Sequence, residues 1–183
     1  MIKEPHARPL LTKTFLKFFL NLKLSDKTYL EIGSGDSTIF FSKVFKHVIA
    51  FEDDLSWFLS LQKKTLENTT LEFFKKETVF ETCIPCTGVS NKLIKYLNQP
   101  NLIVMIDNHP GRVSRLKFAE FIDKHKQKDT VIILDNGDKA DNFEATAFLK
   151  SKYYCLDFPG KYFDGSFGLT SIFFNNDNYE RLL

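Results

Sequence analysis

The chain of 183 residues is short of cysteine, proline and glycine, and neither sign of charge dominates. Three cysteines are an odd number and too few for the disulfide framework of a small secreted domain. The 6 prolines and 8 glycines are scattered: there is no Pro/Gly/Ser-rich linker, no low-complexity segment and no internal repeat. Lys and Arg number 25 against 23 Asp and Glu, a formal net charge of +2. So even a balance carries no signature of a nucleic-acid binder. No apolar run approaches the ~20 residues that span a bilayer. The stretch Leu10–Leu24 is rich in Leu and Phe, but Lys13, Lys17 and Lys23 interrupt it. It lacks the unbroken apolar centre and small-residue cleavage site of a signal peptide. The expectation is a soluble cytoplasmic protein with no membrane partner.

Hydrophobic residues make up 43% of the chain and aromatics 15%, with 20 Phe. That is too apolar and too evenly charged for disorder. The length suits one domain, which buries roughly 70% of its unfolded surface and needs no disulfide or metal staple. We read 1–183 as a single unit, with 1–27 a helical cap and 28–175 the core.

Hydrophobic periodicity gives the order of elements. Leu10, Leu11, Phe15, Phe18, Phe19 and Leu22 share one helical face, which predicts a helix packed over the domain. Strands are then predicted at Tyr29–Ile32, His47–Phe51, Thr70–Phe74, Leu102–Ile106 and Thr130–Leu134. Helices are predicted at Ser37–Phe45, Leu55–Leu66 (with Trp57, Phe58 and Leu61 inward), Lys92–Leu97, Val113–Lys124 and Phe143–Lys150. Two strands without a helix between them, Tyr153–Phe158 and Thr170–Phe174, close the chain. Strand–helix alternation implies a parallel sheet covered on both faces, and the final pair an antiparallel ribbon. The predicted fold is α/β: a Rossmann-like, doubly wound, mostly parallel seven-stranded sheet with an antiparallel strand pair at its C-terminal end. Ligands of such sheets bind at the carboxyl ends of the strands, and here Glu52, Asp107 and Asp135 make that edge acidic.

The sharpest local motif is Tyr29-Leu30-Glu31-Ile32-Gly33-Ser34-Gly35-Asp36-Ser37, a strand, a glycine turn and a helix start. Glycine lets a ligand approach the backbone closely, and Asp36 or Ser37 can cap the helix. Dinucleotide-binding domains use the same turn, so charge must choose between ligands. A pyrophosphate wants helix N-terminal amides without a carboxylate nearby. Glu31, Asp36 and the run Glu52-Asp53-Asp54 oppose one, and suit a ligand with an ammonium and a sulfonium. Glu52 follows the turn by ~20 residues, the spacing at which a carboxylate meets a ribose diol. The third glycine of the dinucleotide fingerprint is absent.

On these residues the chain resembles the class I S-adenosylmethionine-dependent methyltransferases, over about 28 to 175. The resemblance rests on Glu31-Ile-Gly33-Ser-Gly35, on Glu52, on Asp107 and on the closing strand pair. It implies S-adenosylmethionine as cofactor, with Glu31, Gly33, Ser34 and Gly35 around its amino acid part and Glu52 and Asp53 at its ribose. Ser37 stands where many members have a third glycine. The stretch Asp107-Asn-His109-Pro110-Gly111-Arg112-Val-Ser-Arg115 then faces the acceptor. Asp107 and His109 are candidate general bases. Arg112 and Arg115, three apart on one helical face, can hold an anionic acceptor; alternatively Arg112 pairs with Asp107 as a structural clamp at the helix start. Glu52-Asp53-Asp54-Leu-Ser-Trp57 with Pro110-Gly111-Arg112 is also similar to the glucuronoxylan-type polysaccharide O-methyltransferases. That implies O-methylation of a small-molecule or carbohydrate acceptor. An NAD-type oxidoreductase domain and a non-catalytic cofactor-binding module are the alternatives. The Asn/Asp-Pro-Pro-aromatic motif of amino-methylating nucleic-acid enzymes is not matched by Asp107-Asn-His-Pro110.

Cys83-Ile-Pro-Cys86 has no second ligand pair, so no metal is expected. Gly160, Gly165 and Gly168 predict a long loop between the last two strands, placed to close over an acceptor.

Overall fold

Four strands of near-continuous Val, Ile, Leu, Met and Phe form the centre of the molecule. The computed structural model describes residues 8–64, 66–74, 87–108 and 114–175. In chain order the elements are α1 (Lys13–Phe19), β1 (Thr28–Ile32), α2 (Asp36–Phe41), β2 (His47–Glu52), α3 (Leu55–Gln62), β3 (Thr69–Phe73), α4 (Thr87–Leu97), β4 (Leu102–Ile106), α5 (Arg115–His125), β5 (Val131–Asp135), α6 (Phe143–Lys152), β6 (Tyr154–Lys161) and β7 (Phe167–Phe174). The sheet order is β3-β2-β1-β4-β5-β7-β6. Only β7 runs against the rest, antiparallel to both β5 and β6. This is the seven-stranded, mostly parallel sheet that the sequence predicts.

Strand alternation sorts side chains into two layers. Leu30, Ile32, Val104, Ile106, Ile132 and Leu134 face α4, α5 and α6. Tyr29, Ile103, Met105, Val131 and Ile133 face α1 and α2. The second layer explains the abundance of Phe. Phe15 stacks on Phe19 with centroids 4.8 Å apart, and Tyr29 packs on Phe41 at 4.7 Å and Phe45 at 5.0 Å. α1 is also bonded down. Thr12 caps it and donates to Phe158 O at 2.9 Å, and Thr14 donates to Pro159 O at 2.9 Å. The cap expected from the sequence is therefore part of the core.

Several boundaries differ from expectation. α2 stops at Phe41 rather than Phe45, because tight turns that bring Val44 N and Phe45 N to Phe41 O succeed it. α3 ends at Gln62, and α4 starts five residues before Lys92. Trp57 does not face inward: it is 44% exposed, and Leu61 alone of its helix is buried. The long glycine loop is mostly a ladder, with Gly160 opposite Gly168 and Lys161 opposite Phe167. Pro159 fits because β6 is an edge strand, where a missing N–H breaks no bond the sheet needs. Cys83 and Cys86 lie outside the described residues.

Phe15 is fully buried between α1, Phe19 and Phe158. Phe15→Ala should therefore lower unfolding stability by about 3–5 kcal/mol, measured by urea denaturation. A loss below ~1 kcal/mol would show that α1 is a detachable cap.

Candidate functional site

Parallel register brings the strand ends to one line. Ile32 pairs with Phe51 and with Ile106, and Ile106 with Leu134. Gly33, Asp107 and Asp135 thus stand side by side at the carboxyl edge of the sheet. Gly33 has φ +93°, and a Cβ there would lie 2.7 Å from Asp107 O and from Asn108 Cα. Only glycine allows β1 and β4 to turn away this close together. Neither Asp36 nor Ser37 caps α2: Gly35 is the cap residue, and its N–H donates to Thr38 Oγ1 at 2.9 Å.

A cleft of about 570 Å³ opens at this edge. Among the described residues its charged lining is Asp36, Glu52, Asp53, Asp54, Asp107, Asp135 and a single cation, Arg115. Glu52 is buried and accepts four hydrogen bonds. Oε2 takes Ser34 N at 3.1 Å and Ser34 Oγ at 2.7 Å; Oε1 takes Asp53 N at 2.9 Å and Asp54 N at 2.8 Å. Gly33, Ser34, Gly35, Glu52 and Asp53, all singled out from the sequence, share this cleft.

Glu31 does not line it. It is fully buried beneath the turn, accepting from Ser37 Oγ at 2.5 Å, Thr38 Oγ1 at 2.5 Å and Tyr29 Oη at 3.2 Å. Burial pushes its carboxyl up to about 8, against the pull of the Ser37 and Thr38 hydroxyls. Its place is that of a support for the turn.

Asp107 and Asp135 stand together on the same face as Tyr29 and Glu31. Burial raises both above the usual carboxylate range. Arg115 opposes the rise at Asp107, and the charge of Asp107 adds to it at Asp135. Asp135 is fully buried and accepts from Thr170 Oγ1 at 2.6 Å and Tyr162 Oη at 3.4 Å. Two close carboxyls in a poorly solvated place cannot both ionise without cost. Arg115, 3% exposed, donates to Asp107 Oδ1 at 3.1 Å, to Asn108 O at 3.0 Å and to the Asp135 carbonyl. The structural clamp considered for Arg112 is thus made by Arg115, each of whose three nitrogens already has a partner and whose burial limits its reach to an outside anion. His109 and Arg112 lie outside the described residues. Asp135 and Arg115 fall outside the site residues chosen from the sequence; the signal for the first was its place as the third acid at a strand end, after Glu52 and Asp107.

The sheet order and the acidic edge can be set beside known proteins. No protein-family model matches the chain, and no curated protein does. Solved structures do. An O-methyltransferase from Bacillus cereus in complex with SAH has a TM-score of 0.64 at 14% identity, over 88% of this chain and 78% of that one. The fold is that of the class I methyltransferases. TomG, an O-methyltransferase from Streptomyces achromogenes involved in tomaymycin synthesis, in complex with SAM, has a TM-score of 0.56 at 13% identity, over 89% and 78%. A methyltransferase from Pyrococcus furiosus has 0.58 at 19%, over 87% and 79%. No described helix of this methyltransferase fold is long and apolar enough to cross a membrane.

Glu31 supplies a pH test. Its folded value of about 8 lies above its ordinary 4.5, so folding takes up a proton between the two. The stability this group contributes is complete below pH ~4.5 and is lost as pH rises through ~8, at up to ~1.4 kcal/mol per pH unit. Asp107 and Asp135 add slopes of the same sign. Urea unfolding should become easier from about pH 5 to 8 in the wild type, and the fall should be shallower in Glu31→Gln. Equal slopes would show that Glu31 is ionised in the folded protein.

Proposed function

We propose that this protein is an S-adenosylmethionine-dependent methyltransferase acting on the oxygen of a small or sugar-like acceptor. The observation that carries the reading is the joint geometry of Gly33 and Glu52: a turn packed against the backbone after β4, at the cleft, beside a carboxylate fixed by backbone amides. The acidic cleft suits a ligand bearing an ammonium and a sulfonium, and it opposes a pyrophosphate. The O-methyltransferases bound to SAH and SAM that share the fold support the same class.

When bound, the cofactor supplies a methyl group on a sulfonium, open to in-line displacement. The chain's own residues do the rest. Gly33 and Gly35 let the backbone approach the amino acid part, with Glu31 holding the turn from behind. Glu52 and Asp53 meet the ribose. Of Glu52's four donors only the Ser34 hydroxyl belongs to a side chain, so it is the partner a ribose hydroxyl replaces. Asp107 projects where β4 opens, partly exposed, with Arg115 holding one oxygen. In this reading it takes the proton of the acceptor hydroxyl as general base. His109 as an alternative base and Arg112 as an acceptor clamp belong to the proposal on sequence grounds.

The test is calorimetric titration with S-adenosylhomocysteine, with NAD as control. Micromolar binding of the first alone is expected; binding of NAD alone would overturn the cofactor. Glu52→Ala would strip three backbone N–H groups of their partner as well as the ribose, so Glu52→Gln is the cleaner variant. It should weaken binding by about 10- to 100-fold, the range of a lost charged hydrogen bond, with the fold intact by circular dichroism. Asp107→Asn should leave that affinity within about threefold and cut turnover by about 100-fold or more, the usual contribution of a general base. Full turnover in Asp107→Asn would transfer the role to His109.

A further inference from the structure

Trp57 is the only tryptophan of the chain, and it lies open on the first turn of α3. A large aromatic left open on a short helix forgoes the burial that normally selects it. What it gains is a bond. Its indole Nε1–H donates to Ser34 O at 2.8 Å, across to the glycine turn. Its backbone N–H donates to Asp54 Oδ1 at 3.0 Å, the cap of α3. Asp54 N and Ser34 N each donate to Glu52, at 2.8 and 3.1 Å. These bonds close a ring from Glu52 through Ser34, Trp57 and Asp54 back to Glu52. The loops after β1 and β2 share no covalent link, and the ring joins them around one carboxylate. The ring of Trp57 also lies in the cleft wall beside Glu52.

We propose that Trp57 is a positioning residue of the cofactor site: its indole N–H locks the glycine turn against Glu52 and so fixes the carboxylate for a ribose diol. This rests on the cofactor reading above. A phenyl ring at the same place keeps the apolar surface and loses the donor. The turn then keeps its two direct bonds to Glu52, from Ser34 N and Oγ, and loses the tie that runs through Trp57 and Asp54, so the carboxylate is held less firmly in advance of binding. Because the indole stands in the cleft wall, its emission also changes when the nucleoside part enters.

The experiment titrates S-adenosylhomocysteine into wild type, Trp57→Phe, Glu52→Gln and the double variant by calorimetry, and follows tryptophan emission in the wild type. Trp57→Phe should bind about tenfold more weakly, the loss of one hydrogen bond, while its thermal midpoint moves by no more than about 2 °C. The double variant should bind within about twofold of Glu52→Gln, since both changes act on one ring and their effects do not add. Wild-type emission should shift on saturation. Undiminished affinity in Trp57→Phe, full multiplication of the two losses, or unchanged emission at saturation would each overturn the assignment. A wild type that binds no S-adenosylhomocysteine would instead overturn the cofactor reading, and this inference with it.

Discussion

One buried guanidinium holds the open edge of this sheet together. Arg115 reaches from the start of α5 to Asp107, Asn108 and the Asp135 carbonyl. It thereby ties the ends of two parallel strands, β4 and β5. A charge this deep is costly unless several partners meet it, and here each of its three bonding nitrogens has one. Its charge also opposes the rise that burial gives the Asp107 carboxyl, while Asp135, tucked behind with Thr170 and Tyr162, is raised by burial and by the charge of Asp107.

The same economy shapes the glycine turn. Gly33 permits β1 to leave the sheet within contact of the backbone after β4. Glu31 props the turn from beneath and Glu52 grips it from the side. The carboxyls of Glu31, Glu52 and Asp107 differ in depth: the first is fully buried beneath the turn, the second is held by backbone amides and the third is partly exposed. The aromatic layer of α1, α2 and β6 lies behind them and makes the face on which Tyr29 and Glu31 rest rigid.

Strand periods, the glycine turn and the acids at strand ends were legible in the sequence because each is local. β4 and β5 declare burial on both faces in five consecutive residues, and the absence of a helix before β7 announces its reversal. The ends of α2, α3 and α4 were less legible, since turns and tertiary packing terminate them without a strong sequence stop. The orientation of Trp57 could not be read, because an indole at an inward-seeming helical position is decided by a carbonyl from another loop. The partner of Asp107 was sought at Arg112 and found at Arg115, three residues along the same stretch.

By itself, the sequence determined the architecture and the acidic edge of the sheet. These follow from periodicity, glycine and charge, which act within a few residues. Only the tertiary structure decided which carboxyls reach the cleft and which lie beneath it. Glu31 and Glu52 are the same residue type near similar turns. They differ because neighbouring strands bury the first among hydroxyls and leave the second at an edge where two loops meet. Depth and shared partners depend on how distant segments pack, and no local pattern encodes them.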